Sequence, residues 1–407
     1  MKTISWILTF IIISGWSCNS SSGNTSAPVK TIKDDSLEYY PPTPATLAQA
    51  EFRRYFREIS HYFDSTLLRR GFSGGILVAK EGSVIYEKYA GFADSRTKDP
   101  FTDSTSTHIA SSGKTFTGMA ILRMVQENKL SLDDPLEKFF PGFPYPGVTV
   151  KLLLNHRSGM PNYLYFMPRK EWKDKQVTNA DVLNYLMTAK PNRSYSPDKR
   201  FSYCNTNYVL LALIIEKISG KSYPEFMKWQ FFEPLGMTHT FVYNVNDPTM
   251  KVISSYEANG HVWQNDFLEG TYGDKNIYTT PKDLLKWDQA FYTDQIIRKT
   301  LLDTAFTPYS NERPSIHNYG LGWRLLMIPN GKKVIYHNGR WHGFNAAFAR
   351  LIDEKVTIII LGNKYNSKIY SSARLAYDLF GHYKQGSDND EEETENNSQP
   401  LKKPVSP

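Results

Sequence analysis

The chain has 407 residues, of which 40% are hydrophobic and 14% aromatic; this is enough for a large buried core and excludes a wholly disordered protein. No apolar run reaches the ~18–20 residues that cross a bilayer, which excludes a multi-pass membrane protein, and the two cysteines, Cys18 and Cys204, exclude a disulfide framework and a cysteine-rich zinc site. The formal net charge of +7 comes from scattered Lys and Arg residues, which favours a solvated basic surface over a nucleic-acid-binding face.

The first 17 residues have the layout of an export signal. Lys2 gives a positive start, and the apolar segment 4–13 is too short to be a convincing membrane span. Ser14, Gly15, Trp16 and Ser17 lead to Cys18, and this start resembles that of a bacterial lipoprotein, although Gly15 stands where Leu is usual and Trp16 is bulky. We therefore predict a protein of the bacterial cell envelope, periplasmic or surface-exposed, with a lipid anchor at Cys18. Ordinary signal cleavage that leaves Cys18 unmodified is the alternative.

Two further segments are predicted to lie outside the folded body. Residues 18–45 are rich in Ser, Asn, Thr and Pro, which is typical of a tether. Residues 385–407 contain six acidic and two basic side chains, which is typical of a solvated, disordered tail. The folded domain is therefore expected to span residues 46–384.

The folded body is predicted to build one sheet from both ends of its sequence. Apolar residues at three- and four-residue spacing over 47–67 predict an amphipathic helix, and 75–79 with 84–86 predict a β-hairpin. The other predicted elements are a helix over 112–128, strands over 321–328, 333–337, 344–352 and 356–361, and a last helix over 371–383. The pattern predicts an α/β (α+β) fold with a mostly helical lobe, about residues 130–275, inserted in the middle.

The segment from His108 to Thr115 has two interpretations. It ends like a phosphate-binding P-loop, but His108 stands where that loop needs a glycine, and polar residues precede it instead of a buried strand.

The other interpretation is a Ser-x-x-Lys pair, Ser111 and Lys114, which a helix start would place on one face. A serine hydroxyl needs a base to take its proton, and the helix dipole disfavours the charged form of a lysine there. The same helix start offers N–H groups to an anionic intermediate.

A second candidate motif is Tyr203-Cys204-Asn205, just before a strongly apolar segment. The phenol of Tyr203 can shuttle a proton when a nearby cation stabilises phenolate, and the amide of Asn205 can hold a substrate carbonyl. The alternative is structural, with Asn205 as a helix N-cap and Tyr203 in the core.

A third candidate motif, His337-Asn338-Gly339-Arg340, lies at the end of a predicted strand. A strand beside a catalytic serine can offer a backbone N–H to an oxyanion, and Gly339 would let the substrate approach closely. The alternative for His337 is a surface histidine at a hairpin end.

The order Ser-x-x-Lys, Tyr-x-Asn, His-x-Gly resembles the penicillin-recognising serine hydrolases: class C β-lactamases, low-molecular-weight D-alanyl-D-alanine peptidases and related esterases. Flanking stretches are also similar to family sequence, namely residues 129–135, 152–161, 277–284 and 343–345. The resemblance covers roughly residues 71–381. It implies a β-lactamase/transpeptidase-like fold, with a five-stranded antiparallel sheet covered by helices and a helical lobe.

The resemblance also implies the catalytic roles. Ser111 would be the acylated nucleophile and Lys114 its proton partner. Tyr203 would be the general base, and later the general acid toward the leaving group. No metal and no cofactor are implied.

The other motif residues would bind the substrate. Asn205 would orient the substrate amide or ester, and His337 with Gly339 would take the place of the usual Lys-Thr-Gly. The main-chain N–H groups of Ser111 and Arg340 would form the oxyanion hole.

Departures from the family pattern bear on the substrate. His337 replaces a permanently charged lysine, which weakens the expectation of strong binding to a β-lactam or peptide carboxylate. Peptidase or esterase activity is therefore favoured over efficient β-lactamase activity. Cys204 stands where serine is common, without a predicted consequence, and His156 is expected to be structural.

The predicted function is hydrolysis of an amide or ester in a small-molecule or peptide substrate, for which cell-wall material is one source. No nucleic-acid partner is expected, and contact with a membrane is expected only through the lipid anchor. The alternative from another class is a non-catalytic, penicillin-binding-like envelope protein on the same scaffold.

Overall fold

The computed structural model describes residues 38–167, 172 and 175–384. The predicted signal (1–17), Cys18, most of the predicted tether and the acidic tail (385–407) lie outside the described residues. Among the helices that are described, none combines the length and the apolar character needed to cross a membrane.

The described residues form ten α-helices, together with short 3₁₀ turns and a π-helical turn. The helices are α1 Gln49–Thr66, α2 Lys114–Gln126, α3 Val150–Leu154, α4 Tyr163–Phe166, α5 Asn179–Thr188, α6 Asn205–Ser219, α7 Tyr223–Met227, α8 Pro281–Ala290, α9 Lys299–Ala305 and α10 Lys368–Leu375.

The same residues form twelve strands. They are β1 Gly74–Lys80, β2 Ser83–Ala90, β3 Phe92–Asp94, β4 Asp99–Pro100, β5 Thr107–His108, β6 Phe241–Val242, β7 Ile277–Thr279, β8 His317–Tyr319, β9 Arg324–Met327, β10 Lys333–Trp341, β11 Phe344–Leu351 and β12 Val356–Gly362.

One antiparallel sheet joins distant parts of the chain in the order β2-β1-β12-β11-β10-β9-β8. The pairing of β1 with β12, from Gly74 opposite Gly362 to Lys80 opposite Val356, connects the two ends of the folded body. The predicted fold class, an antiparallel sheet flanked by helices, is confirmed. Two short strands extend the sheet beyond the five that the family resemblance implies: β9, which lies within the predicted strand 321–328, and β8.

Helices cover both faces of this sheet. On one face, α1 and α10 bury side chains such as Ile59, Phe63 and Ile369 against the strands. On the other face, α2 packs in the main core with α6 and α8. Helix α2 is buried along nearly its whole length, so it has no polar face to offer solvent. Its first turn is therefore held firmly, and that turn carries the Ser-x-x-Lys motif.

A small sheet of order β5-β7-β6 lies beside the start of α2. Thr107 and His108 of β5 pair with Thr279 and Tyr278 of β7. The segment 270–279 is thereby brought against the residues that precede the motif.

A buried ion pair ties α8 to the central strands. Arg350 of β11 donates from Nε to the carboxylate of Asp288, which also accepts from the Thr357 hydroxyl at 2.6 Å. Both charged side chains are almost wholly buried, at 1% and 0% exposure. Removing one partner leaves the other charge buried and unpaired, which is the costly outcome for such pairs.

We expect Asp288→Ala to lower the free energy of unfolding by about 3–5 kcal/mol, because Arg350 then has no counter-charge in the core. Urea unfolding followed by circular dichroism measures this. Asp303→Ala, which breaks an exposed pair with Lys299, is the control and should cost less than about 1 kcal/mol. Equal costs for the two variants would contradict this account of the core.

Candidate active site

Ser111 sits in a 3₁₀ turn, Ala110–Gly113, that leads directly into α2. Ala110 has a φ of +48°, in the left-handed region that non-glycine residues rarely adopt. Such local strain persists only where the surrounding structure imposes it, and it is concentrated at functional sites. Ser111 is half-buried, whereas Lys114 is completely buried.

The serine and lysine side chains are hydrogen-bonded to each other. Lys114 Nζ donates to Ser111 Oγ at 3.0 Å and to the backbone carbonyl of Asp274 at 2.8 Å. Both bonds end on neutral oxygens, and the lysine is turned inward. This favours the Ser-x-x-Lys interpretation over a P-loop, in which the lysine would reach a bound phosphate.

The aromatic ring of Tyr203 lies next to this pair. Its centroid is 5.1 Å from Lys114 Nζ, and its hydroxyl is buried. A second cation approaches the same ring, because the guanidinium carbon of Arg324 is 5.3 Å from the centroid. The structure therefore brings the first and second motifs together, with two positive charges around the phenol.

Asn205 is the first residue of α6 and is 9% exposed. The helix start is fixed by the preceding loop, since Thr206 Oγ1 donates to the Pro161 carbonyl and accepts from Tyr163 N–H. Cys204 is buried beside it, where burial raises the pKa of the thiol to about 11. A neutral thiol packed there is consistent with the expectation that Cys204 has no chemical role.

Strand β10 lies directly against the serine turn. A Cβ atom at Gly339 would stand 2.1 Å from the carbonyl oxygen of Ile109 and 3.0 Å from the backbone nitrogen of Ser112. Only glycine permits this approach. Ser112 Oγ also donates to the carbonyl of His337 at 3.0 Å. The third motif thus joins the first two.

His337 is a buried, neutral imidazole. Its Nδ1 is 2.6 Å from the Asn338 carbonyl, which can only accept, so Nδ1 carries the proton. Nε2 then accepts from the Tyr319 hydroxyl at 3.1 Å. Burial, followed by the charges of Arg324 and Lys114, holds the pKa of His337 well below its usual value. A surface position for this histidine is thereby excluded.

Arg340 is partly exposed, and its guanidinium carbon lies 4.9 Å from the Tyr365 ring centroid. The backbone around it is held in place, because the Tyr370 hydroxyl donates to the Gly339 carbonyl at 3.0 Å and accepts from the amide of Asn345. The predicted use of the Arg340 N–H as an oxyanion donor stays a prediction.

A family model named Beta-lactamase matches residues 52–380 of this chain. The chain belongs to the β-lactamase family. It is 32% identical over 337 residues to penicillin-binding protein 4* of Bacillus subtilis (strain 168), covering 78% of this chain and 74% of that protein. The predicted relationship to the penicillin-recognising serine hydrolases is confirmed.

Two solved structures share the fold of this chain. The octameric penicillin-binding protein homologue from Pyrococcus abyssi matches with a TM-score of 0.67 at 28% identity, covering 82% of this chain and 78% of that one. D-amino acid amidase from Ochrobactrum anthropi SV3 matches with a TM-score of 0.66 at 24% identity, over 81% and 96% of the two chains, which shows the shared fold.

The sequence patterns missed two charged residues of this β-lactamase-family site. Asp274 anchors Lys114 through its backbone carbonyl, while its buried carboxylate accepts from the Tyr163 hydroxyl at 2.8 Å. A signal was present, because Gly273-Asp274-Lys275 places two charges directly before an apolar strand. Arg324 carried no comparable signal, since a single arginine in a predicted strand is typical of a solvated edge.

One group of side chains in the described part of the chain has metal-ligand chemistry: Asp266, Glu269 and His342, whose ligand atoms lie within 4.8 Å of one another. The Glu269 carboxylate already accepts from His342 and from the Trp341 indole. These contacts, together with the charge of Lys275, hold the pKa of Glu269 below its usual value against the effect of burial. The Glu269 carboxylate therefore already has two hydrogen-bond donors.

We expect Gly339→Ala to lower kcat/KM by at least about 100-fold, because the added methyl group pushes β10 away from the turn that carries Ser111. Steady-state rates on an activated ester measure this. Gly220→Ala is the control: Gly220 ends α6 with a φ of +70° and has open space around it, so its loss should reduce stability by about 1 kcal/mol and leave the rate unchanged. Equal rates for wild type and Gly339→Ala would contradict the packing argument.

We expect the free energy of unfolding to fall as pH drops below about 6.5. The pKa values of His108 (about 3), His156 and His337 are all lowered by burial. The unfolded chain therefore binds more protons than the folded one below the ordinary histidine pKa. Each buried histidine contributes up to about 1.4 kcal/mol per pH unit in that range.

Urea unfolding at pH 7.5, 6.5 and 5.5 measures this slope. His108→Gln should make it shallower, whereas His61→Gln, at an exposed position of α1, should leave it unchanged. An identical slope in wild type and His108→Gln would show that His108 is not buried in its neutral form.

Proposed function

We propose that the protein is an exported serine hydrolase that cleaves an amide or ester bond through an acyl-enzyme on Ser111, of peptidase or esterase type. The observation that carries this is the hydrogen bond of 3.0 Å between Lys114 Nζ and Ser111 Oγ, with the Tyr203 ring 5.1 Å from the same nitrogen. The nucleophile thus lies beside a cation and beside a candidate proton carrier, an arrangement suited to acyl transfer through a serine ester.

In the proposed acylation step, Ser111 Oγ attacks the substrate carbonyl carbon while its proton passes to the phenolate form of Tyr203. The positive charges of Lys114 and Arg324 stabilise that phenolate before the transfer. The tetrahedral intermediate collapses as the C–N or C–O bond breaks, and the Tyr203 proton goes to the leaving group. An ester between Ser111 and the acyl group remains.

In the proposed deacylation step, water attacks this ester. Tyr203 takes one proton from the water, and the bond between Ser111 Oγ and the acyl carbon breaks. The proton returns to Ser111 Oγ, so the carboxylic acid leaves and the enzyme is restored.

The proposed oxyanion donors are the backbone N–H groups of Ser111 and Arg340. The contact between Gly339 and the serine turn supports this, because it brings the two backbones together at the start of α2. Donors fixed by packing cost no reorganisation when charge develops on the substrate oxygen. Asn205, the first residue of α6, would orient the substrate amide or ester.

The neutral state of His337 supports a peptidase or esterase over an efficient β-lactamase. A buried, uncharged imidazole bonded to Asn338 and Tyr319 offers no positive charge to a substrate carboxylate. Proteins similar to this chain include a penicillin-binding protein and a D-amino acid amidase. This similarity favours a substrate that contains an amide bond. We propose a small-molecule or peptide substrate, for which cell-wall fragments are one source.

The proposed location is the bacterial cell envelope, periplasmic or on the surface, with a lipid on Cys18. The motif around Cys18 supports this. No nucleic-acid partner is proposed, because the basic residues of the chain are scattered.

We expect Ser111→Ala to reduce turnover by more than about 1,000-fold on every hydrolysed substrate, because no other hydroxyl takes its place. The panel is a p-nitrophenyl ester, a peptide ending in D-Ala-D-Ala, and nitrocefin. Ser112→Ala is the matched control: Ser112 bonds to the His337 carbonyl on the neighbouring strand, so its loss should change the rate by less than about 10-fold.

Three results decide the proposal. Equal turnover in wild type and Ser111→Ala would reject the acyl-enzyme mechanism. A nitrocefin rate far above the ester and peptide rates would make β-lactamase the correct activity. A covalent adduct without turnover would favour the non-catalytic, penicillin-binding-like alternative.

A further inference from the structure

His156 holds the turn that carries Tyr203 through both its backbone and its ring. The N–H of Ser202 donates to the His156 carbonyl at 2.9 Å, and the N–H of Cys204 donates to the imidazole Nδ1 at 3.1 Å. The imidazole centroid lies 4.3 Å from that of Tyr203. Cys204 is the N-cap of α6 but makes no side-chain capping bond. The histidine therefore binds this turn from outside the helix.

The same nitrogen accepts a second bond. Asn207 Nδ2 lies 3.2 Å from His156 Nδ1, and the amide orientation is set by Ser158, whose hydroxyl donates to Asn207 Oδ1 at 2.7 Å. A ring nitrogen that accepts two N–H groups cannot carry a proton. His156 is therefore the tautomer protonated at Nε2.

Charge around His156 keeps it neutral. Burial, then Lys114, His337 and Arg324, hold its pKa well below the usual value. Titratable and charged side chains face the His156 imidazole from all the elements that pack against it. They are Lys114, Tyr203, Tyr208, Tyr319, Arg324 and His337. Protonation would turn Nδ1 from an acceptor into a donor, and the bonds to Cys204 and Asn207 would be lost.

The backbone at His156 is unusual as well. Its φ is +56°, a left-handed conformation that costs a non-glycine residue about 1–2 kcal/mol. This conformation lies directly after α3 and accompanies the contacts with the turn before α6. Asparagine tolerates the left-handed region best among non-glycine residues, which provides a conservative variant for a test.

We propose that His156 is a positioning residue for Tyr203. As the neutral Nε2-protonated tautomer, it fixes the turn 201–205 at the distance from Ser111 and Lys114 that proton transfer requires. This inference rests on the proposed function, in which Tyr203 carries the proton. It assigns to His156 a role in the reaction where the sequence pattern indicated only a structural residue.

Two isosteric variants test the role. His156→Asn places a side-chain oxygen near the position of Nδ1 and keeps the acceptor, whereas His156→Gln places its amide near Nε2 and loses it. We expect kcat to fall about 100-fold in His156→Gln, with KM within about 3-fold of wild type, and by less than about 5-fold in His156→Asn. Equal kcat values per folded molecule for the two variants would overturn the proposal.

A double-mutant cycle with Tyr203→Phe separates positioning from general stability. If His156 acts through Tyr203, His156→Gln should lower the residual rate of Tyr203→Phe by less than about 3-fold. A further loss of about 100-fold would show that His156 acts elsewhere and would overturn the proposal.

The cycle also separates this inference from the proposed function. Full activity in Ser111→Ala or in Tyr203→Phe, each with His156 intact, would reject the hydrolase mechanism and this role with it. A strictly additive cycle, with Ser111→Ala inactive, would reject only the role of His156. The exposed His61→Gln serves as the control for histidine loss and should leave kcat unchanged.

Discussion

The site depends on the contact between strand β10 and the turn that precedes α2. Gly339 lies so close to the Ile109 carbonyl and to the backbone of Ser112 that no side chain fits between them. This contact joins a strand from the end of the folded body to a helix start from its first third. Because β10 is paired with β11 as far as Trp341 and α2 is buried along nearly its whole length, neither can shift alone. The position of Ser111 is therefore fixed by the packing of β10 against the start of α2.

The same packing determines which charged side chains surround Tyr203. Lys114 is buried, and it donates hydrogen bonds to the Ser111 hydroxyl and to the Asp274 carbonyl. Arg324 adds a second positive charge near the same ring, while His156 and His337 are held neutral. Because burial keeps both imidazoles neutral, they act only as hydrogen-bond partners. The positive charges near Tyr203 are therefore those of Lys114 and Arg324. A phenol in this setting is suited to lose and regain a proton.

Features that depend on residues close together in the sequence could be predicted from local sequence patterns. The spacing of Ser111 and Lys114 places both on one helical turn, and apolar periodicity located α1 and the β1–β2 hairpin. The last helix was predicted over 371–383, whereas α10 begins at Lys368 and ends at Leu375, followed by a 3₁₀ turn. Strand β8 was missed because three residues, His317–Tyr319, are too few to show an alternating pattern.

Contacts between distant residues could not be predicted in this way. The approach of Arg324 to Tyr203 and the bond from Cys204 to His156 join segments separated by 121 and 48 positions. Such pairs have no shared local pattern, and only the folded sheet brings them together. The resemblance to known enzymes supplied the order of the three motifs. It did not supply the approach of Arg324 to Tyr203 or the contacts of His156 with the Tyr203 turn.

The most direct test of the central claim is detection of the acyl-enzyme itself. The full chain would be mixed with a p-nitrophenyl ester, quenched in acid within its first turnovers, digested and analysed by mass spectrometry. We predict one acyl group on the peptide that contains Ser111, and none at that position in Ser111→Ala. An acyl group on any other residue, or turnover with Ser111 never modified while product forms, would contradict it.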